Sequence, residues 1–243
     1  MNIVKLRYGF LWAAFSLLLI SCNNAEKATS TTDSTNTQST VATPDASDII
    51  TAPEGIVVVR YKVSDFAKWR ASYDTRDSMR TANGLRNYVI GRGVEDSSVI
   101  MVALKTDDMA KAKAFTEEAS LQTALQKGYV VGAPKYTFST VVYQDMSPNM
   151  SDLRCMSFFS VKDWDAWKKA FETGKQLRTE NGLTDRAYGY EVDDNHKVVM
   201  VAGINNYDTA KVFWNSDIMK QRRAEAGVVG EVERFVYRVI QKY

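Results

Sequence analysis

The chain has 243 residues, 45% hydrophobic and 25% charged, with 31 Lys or Arg against 29 Asp or Glu. Charge this balanced lacks the basic footprint of a nucleic-acid binder and the polybasic stripe that anionic lipid attracts. One histidine and two cysteines leave no paired-cysteine metal site, and no metal is expected. At the start of the chain, Lys5 and Arg7 precede an almost wholly apolar run of 11 residues, Phe10 to Ile20. That run is too short to span the ~30 Å of a bilayer core as a helix. Residues 1–21 therefore read as an export signal outside the fold.

The signal ends in Leu19-Ile20-Ser21-Cys22, which resembles the lipobox of bacterial lipoproteins. The resemblance implies that Cys22 is diacylated and becomes the mature N-terminus, with the membrane as partner through that lipid. The address implied is the bacterial cell envelope, with the outer membrane ranked ahead of the inner. The alternative is an ordinary secretory signal with an incidental cysteine. Each buried methylene contributes ~0.8 kcal/mol, so several acyl chains anchor stably. If Cys22 carries lipid, Cys155 has no partner for a disulfide, and it reads as a small buried hydrophobe.

Residues 22–53 read as a disordered tether. Between Asn23 and Pro53, 12 of 31 residues are Ser or Thr. Such a segment buries too little to offset its ordering entropy. As a flexible coil it would hold the domain on the order of 30 Å from the bilayer.

The rest of the chain says nearly the same thing twice. Val63 to Leu85 returns as Val161 to Leu183 at an offset of 98, with 9 of 23 positions identical. Each copy reads strand, helix, strand, strand, helix, strand, over residues 54–146 and 153–243. Gly55 to Val63 alternates as a strand does. Ser64 or Asp65 then caps a helix whose Phe66, Trp69 and Tyr73 form one aromatic face. That helix stops at Asn83-Gly84. Leu85 to Val94 and Val99 to Lys105 form a hairpin, Asp107 or Asp108 caps a second helix, and Lys135 to Gln144 is the last strand. The second copy repeats the plan from Leu153 to Gln241. Matching Val99–Ala103 to Val198–Ala202 gives it one extra residue in the hairpin turn and one fewer before the second helix.

This order predicts an α+β fold of two fused ferredoxin-like β-α-β-β-α-β repeats forming a pseudo-dimeric α/β barrel. Each sheet has an apolar face that its own helices leave uncovered, and the other copy supplies the cover. Three sequence features stand out: Val63-x-Asp65-Phe66-x-x-Trp69, Arg80-x-x-Asn83-Gly84-Leu85 and the glycine-flanked turns at Gly128–Gly132 and Gly227–Gly230. With them the chain resembles the dimeric α/β-barrel superfamily, in its antibiotic-biosynthesis-monooxygenase branch. The resemblance implies a ligand pocket between the helices and the sheet of a repeat. It leaves the chemistry open, because that superfamily includes cofactor-free monooxygenases, haem-degrading enzymes and members without established activity.

The candidate ligand-binding residues are Trp69, Tyr73 and Arg80 in the first copy and Trp167, Phe171, Arg178, Tyr188 and Tyr190 in the second. An aromatic stripe at helical spacing has two readings, filled core or the wall of a pocket for a small aromatic ligand. Arg80 and Arg178 have two as well. They sit in the last turn before Gly84 and Gly182, where a cation meets the negative helix end, or they bind an anion in a cavity. His196 lies in a turn rich in Asp and Asn, which reads as solvated. The haem-degrading relatives use a histidine near the second helix, neither copy has one there, and no cofactor is expected. No titratable pair has an evident acid–base role. Two functions follow: a lipid-anchored envelope protein binding a small molecule or a neighbouring envelope protein, or a cofactor-independent monooxygenase-like enzyme acting on an electron-rich aromatic substrate.

Overall fold

A computed structural model describes residues 48–148 and 151–243. The expected signal, Cys22 and the tether as far as residue 47 lie outside the described residues. The elements run β1 (Ile49–Ile50), β2 (Glu54–Val63), α1 (Phe66–Asp74), α2 (Asp77–Ala82), β3 (Leu85–Gly93), β4 (Val99–Thr106), α3 (Met109–Glu117), α4 (Ala119–Lys127) and β5 (Val130–Asp145). The second copy continues with β6 (Leu153–Val161), α5 (Trp164–Thr173), α6 (Lys175–Glu180), β7 (Leu183–Glu191), β8 (Asp194–Ile204), α7 (Tyr207–Asn215), α8 (Asp217–Glu225) and β9 (Val228–Lys242).

Each copy builds a four-stranded antiparallel sheet, and the two sheets join at both edges. β3 pairs with β9, and β5 pairs with β7, so the strand order closes on itself as a barrel. Closure depends on β5 and β9, which are 16 and 15 residues long and reach past their own sheets. A closed sheet leaves few free edges to aggregate. β1, at the end of the expected tether, is not free: Ile49 and Ile50 pair with Asp145 and Gln144.

Alternation along the strands sorts side chains between two layers. In β2, Val57, Val59 and Tyr61 face the helices, while Ile56 and Val58 face the barrel interior with Met101, Met156 and Tyr237. In the first copy the helix–sheet layer is one continuous cluster around Trp69. In the second it is split into two clusters, one around Phe213 and one around Trp167.

Two further expectations change. The extra hairpin residue and its compensating deletion do not exist. Val57 pairs with Leu104, and Cys155 with Ala202. Leu85 pairs with Thr106, and Leu183 with Ile204, so the offset stays at 98 through both hairpins. The sequence match of Val99–Ala103 to Val198–Ala202 is a one-residue slip. It is ruled out physically, because a one-residue slip sends every side chain of a strand to the wrong face.

The second change is that each expected helix is two. Asp65, Asp108, Asp163 and Asn206 cap the first members through backbone N–H groups three residues on. Extended backbone at Glu118 and Ser216 breaks the second helical segment of each copy. The first segment breaks before Asp77 and at Gly174, where an arginine further along adds a hydrogen bond to a helix-end carbonyl.

Candidate functional site

That arginine is Arg80 in one copy and Arg178 in the other. Arg80 Nη1 donates to the Tyr73 carbonyl at 2.9 Å, and Arg178 Nη1 to the Phe171 carbonyl at 2.7 Å. Each guanidinium also lies over the ring of that residue, at 3.7 and 3.6 Å. Both arginines therefore cap the end of the preceding helix, rather than the end of their own. Gly84 and Gly182 do end α2 and α6 in the left-handed region, with φ of 72° and 74°.

The two arginines differ in what remains of their bonding. Arg178 Nε and Nη2 make a bidentate pair with Asp185 at 2.7 and 2.6 Å, which commits the whole guanidinium. In the first copy Asn87 stands where Asp185 does. It accepts from Tyr73 and donates to Asp77, and Arg80 Nε is left buried without a partner among the described residues.

Both copies have a cavity between helices and sheet, and the two are unequal. Trp69, Tyr73 and Arg80 line one of about 70 Å³ in the first copy. Trp167, Phe171 and Arg178 line one of about 210 Å³ in the second. The fixed offset explains the difference. Val57, Val59 and Leu104 line the small cavity, and at the matching positions Cys155, Ser157 and Ala202 line the large one. Three strand side chains shrink, and the helices above do not follow them down. Arg76, at the edge of the small cavity, becomes Gly174.

The polar lining changes too. Tyr61 and Tyr73 become Phe159 and Phe171, so two hydroxyls leave. Ala124, Leu125 and Tyr136 become Arg222, Arg223 and Arg234, so three cations arrive. Arg234 is part-buried, and its guanidinium lies 5.3 Å from the Trp214 ring. It makes no hydrogen bond or ion pair among the described residues. Burial first, then the neighbouring Arg223, disfavours its charge and holds its pKa below the ordinary value. Arg223 donates to the Trp214 carbonyl. Arg222 is exposed at the rim, as is Glu225, which accepts a hydrogen bond from Gln221. Burial pushes the Cys155 thiol up to about 11, so it meets the cavity as a neutral group.

The remaining expected site residues lie elsewhere. Tyr188 packs edge-on against Trp167 and Phe171, and its hydroxyl donates to Glu172 at 2.7 Å, but it is not in the wall of the large cavity. Its ring stacks on Tyr143 at 4.9 Å across the β5–β7 seam. Tyr190 stands edge-on to Trp164, outside the cavity. His196 lies not in the turn but just past it, exposed in β8, where its backbone N–H donates to Asp194 at 3.0 Å. The residues that set the character of the large cavity, Cys155, Ser157, Ala202, Arg223 and Arg234, are not among those the sequence motifs single out. A comparison of the copies position by position at offset 98 is the signal that finds them.

No protein-family model matches the chain, and no curated protein matches it. Solved structures do share its fold. A protein described as anthrone oxidase-like superposes with a TM-score of 0.57 at 12% identity, over 80% of this chain and 95% of that one. A monooxygenase candidate from Fusobacterium nucleatum gives 0.52 at 10% identity, over 78% and 93%. Another from Lactobacillus acidophilus gives 0.50 at 10% identity, over 77% and 93%. The chain is thus an α+β protein of two ferredoxin-like repeats fused in one polypeptide and closed into a pseudo-dimeric barrel, a fold it shares with these proteins.

Proposed function

We propose that the protein is a lipid-anchored envelope protein that binds a small, flat organic anion in the helix–sheet cavity of its second repeat. The observation that carries this reading is the asymmetry between the repeats. Only the second combines an opened apolar cavity with a cation, Arg234, that has no acidic partner among the described residues. A part-buried charge without a counter-charge is costly, and an anionic ligand would offset that cost. A cavity of roughly 150 Å³ holds a benzene-sized molecule, so about 210 Å³ suits a substituted ring.

Trp167 and Trp214 in the wall provide the readout. 4-Nitrobenzoate should quench the fluorescence of the full chain, with little quenching in a W167F/W214F variant. Arg234→Gln should weaken binding about tenfold, the loss of one charge-assisted contact. Unchanged emission on saturation, or full affinity in R234Q, would remove this site. The anchor is tested separately. Cys22→Ala should release the protein from the membrane fraction, and complete retention would rule out lipidation.

A second reading takes its support from the solved neighbours described as monooxygenases. In it the same cavity holds an electron-rich aromatic substrate for oxygen, with no cofactor. Consumption of oxygen on adding a hydroxylated anthracene, abolished by W167F, would make the protein an enzyme and favour this reading over binding alone.

A further inference from the structure

The barrel interior holds a cavity of its own, about 190 Å³, between the two sheets and apart from the helix–sheet cavities. Its walls show the repeat asymmetry in a sharper form. Ile56, Tyr88 and Gln144 from the first copy line it, and so do their counterparts at offset 98, Arg154, Arg186 and Lys242. Three neutral positions have become three cations that face one space.

The neutral half is closed on itself. Tyr88 donates to Gln144 at 3.0 Å, Gln144 to Glu54 at 2.5 Å, and Glu54 pairs with Lys105 at 2.7 Å. The cationic half is open. Arg186 reaches one carboxylate, Asp145, at 3.5 Å, and donates to the Ser147 carbonyl at 2.8 Å. Arg154 is buried, and among the described residues only carbonyls accept its hydrogen bonds: Ser151 at 2.6 Å and Leu153 at 2.9 Å, both from Nη1. The Lys242 ammonium, at the exposed mouth, has no ion pair or hydrogen bond among the described residues. Asp145 is thus the one acidic side chain among the described residues that line the lumen, against three cations, and Asp152, outside the lining, acts on Arg154. Asp145 is itself engaged by the Ser147 N–H at 2.9 Å. Burial, then Arg154 and Arg186, holds the Lys242 pKa below its ordinary value, so the three cations sense one another. Deeper in, Met101, Met156, Val199 and Val201 make an apolar floor.

We infer that the barrel lumen is a second binding site, for a small organic anion whose head meets Arg154, Arg186 and Lys242 and whose short apolar body lies on the methionine floor. The two arginines offer planar forks that suit a carboxylate or phosphate head, and the lysine adds a point charge at the entrance. The inference does not depend on the second-repeat cavity. Among the described residues the two sites share no lining side chains, and no tryptophan lines the lumen.

Methionine methyl groups separate the sites in one experiment. Met101 and Met156 report the lumen, and Met200 and Met219 the second-repeat cavity. The full chain carrying methyl-labelled methionine is titrated with sodium hexanoate and, separately, with hexanol. Hexanoate should shift the Met101 and Met156 resonances, with hexanol at least tenfold weaker. Lys242→Gln, at the exposed mouth where folding is least at risk, should weaken hexanoate about tenfold, and Arg186→Gln by at least as much. Unmoved Met101 and Met156 resonances would mean a merely hydrated lumen. Equal shifts from hexanol, or full affinity in K242Q, would show an apolar crevice indifferent to charge. Either result overturns the inference. Shifts confined to Met200 and Met219 would overturn it while leaving the second-repeat site standing.

Discussion

Arginine carries most of what distinguishes the two repeats, and each one is defined by its partner. Arg178 and Asp185 are both nearly buried, at 9% and 7% side-chain exposure, and meet in a bidentate pair. Asp185→Asn removes the charge but not the volume and leaves a buried cation uncompensated. A loss of about 3–5 kcal/mol is expected by urea unfolding. A loss under 1 kcal/mol would show that Arg178 swings to water instead. The helix-ending glycines offer a graded test. Both are left-handed, so alanine is strained at either by about 1 kcal/mol. At Gly84 an added Cβ meets nothing within 4 Å, whereas at Gly182 it lies 3.0 Å from Asn206 Cβ. Gly182→Ala should therefore cost visibly more than Gly84→Ala in the same assay. Equal costs would mean that the Asn206 turn yields freely.

At the level of elements, the broken helices are the main departure from a simple ferredoxin-like repeat. The break between α7 and α8 is well made: Ser216 donates to the Phe213 carbonyl at 2.7 Å and accepts from Met219 N at 3.3 Å. Its counterpart Glu118 has the same extended backbone but no side-chain cap on α4. Glu118→Ser should supply that cap and raise stability by about 0.5–1 kcal/mol. Thermal unfolding checks it, and a lowered midpoint would show that the Glu118–Ser120 hydrogen bond matters more. The breaks also shape the site. Trp214 lies in the last turn of α7, while Arg222 and Arg223 lie in the last turn of α8. Two short helices thus bring an aromatic wall and a cationic rim to one cavity.

For the whole molecule, the repeats depend on each other in two ways. Their inner faces share one apolar interior, and their long strands pair across both seams. Glu233 adds an ionic link: it accepts from Arg60 at 2.7 Å and Lys135 at 2.8 Å, both in the other copy. Residues 54–149 and 150–243 produced separately should fail to give soluble monomers. Any soluble half is expected as a homodimer that imitates the closed barrel. Sedimentation decides the matter, and a monomeric half with a sharp thermal transition would show that the interior is not needed as a shared core.

Much of this architecture is local, and so it is legible in the amino-acid sequence of residues 54–243. Caps such as Asp65 and Asp163, stops such as Gly84 and Gly182, and the aromatic face of α1 are decided by neighbours three or four positions away. The repeat then doubles every such signal. The helix breaks are not legible, because extended backbone at Glu118 or Ser216 is compatible with ordinary residues and leaves no mark in periodicity. The strand register reads wrongly by one residue because Val99–Ala103 and Val198–Ala202 look alike, and only cross-strand pairing separates true from slipped matches. The pairing of Ile49 and Ile50 with β5 is hidden by the polar composition around them. The sites are hidden more deeply. Cavity volume is set jointly by residues 155, 157 and 202, which meet only when β6 and β8 pair. In the sequence Arg178 and Arg234 are two arginines alike. Folding gives one of them Asp185 and leaves the other facing a cavity, because compensation of charge depends on distance through space and not along the chain.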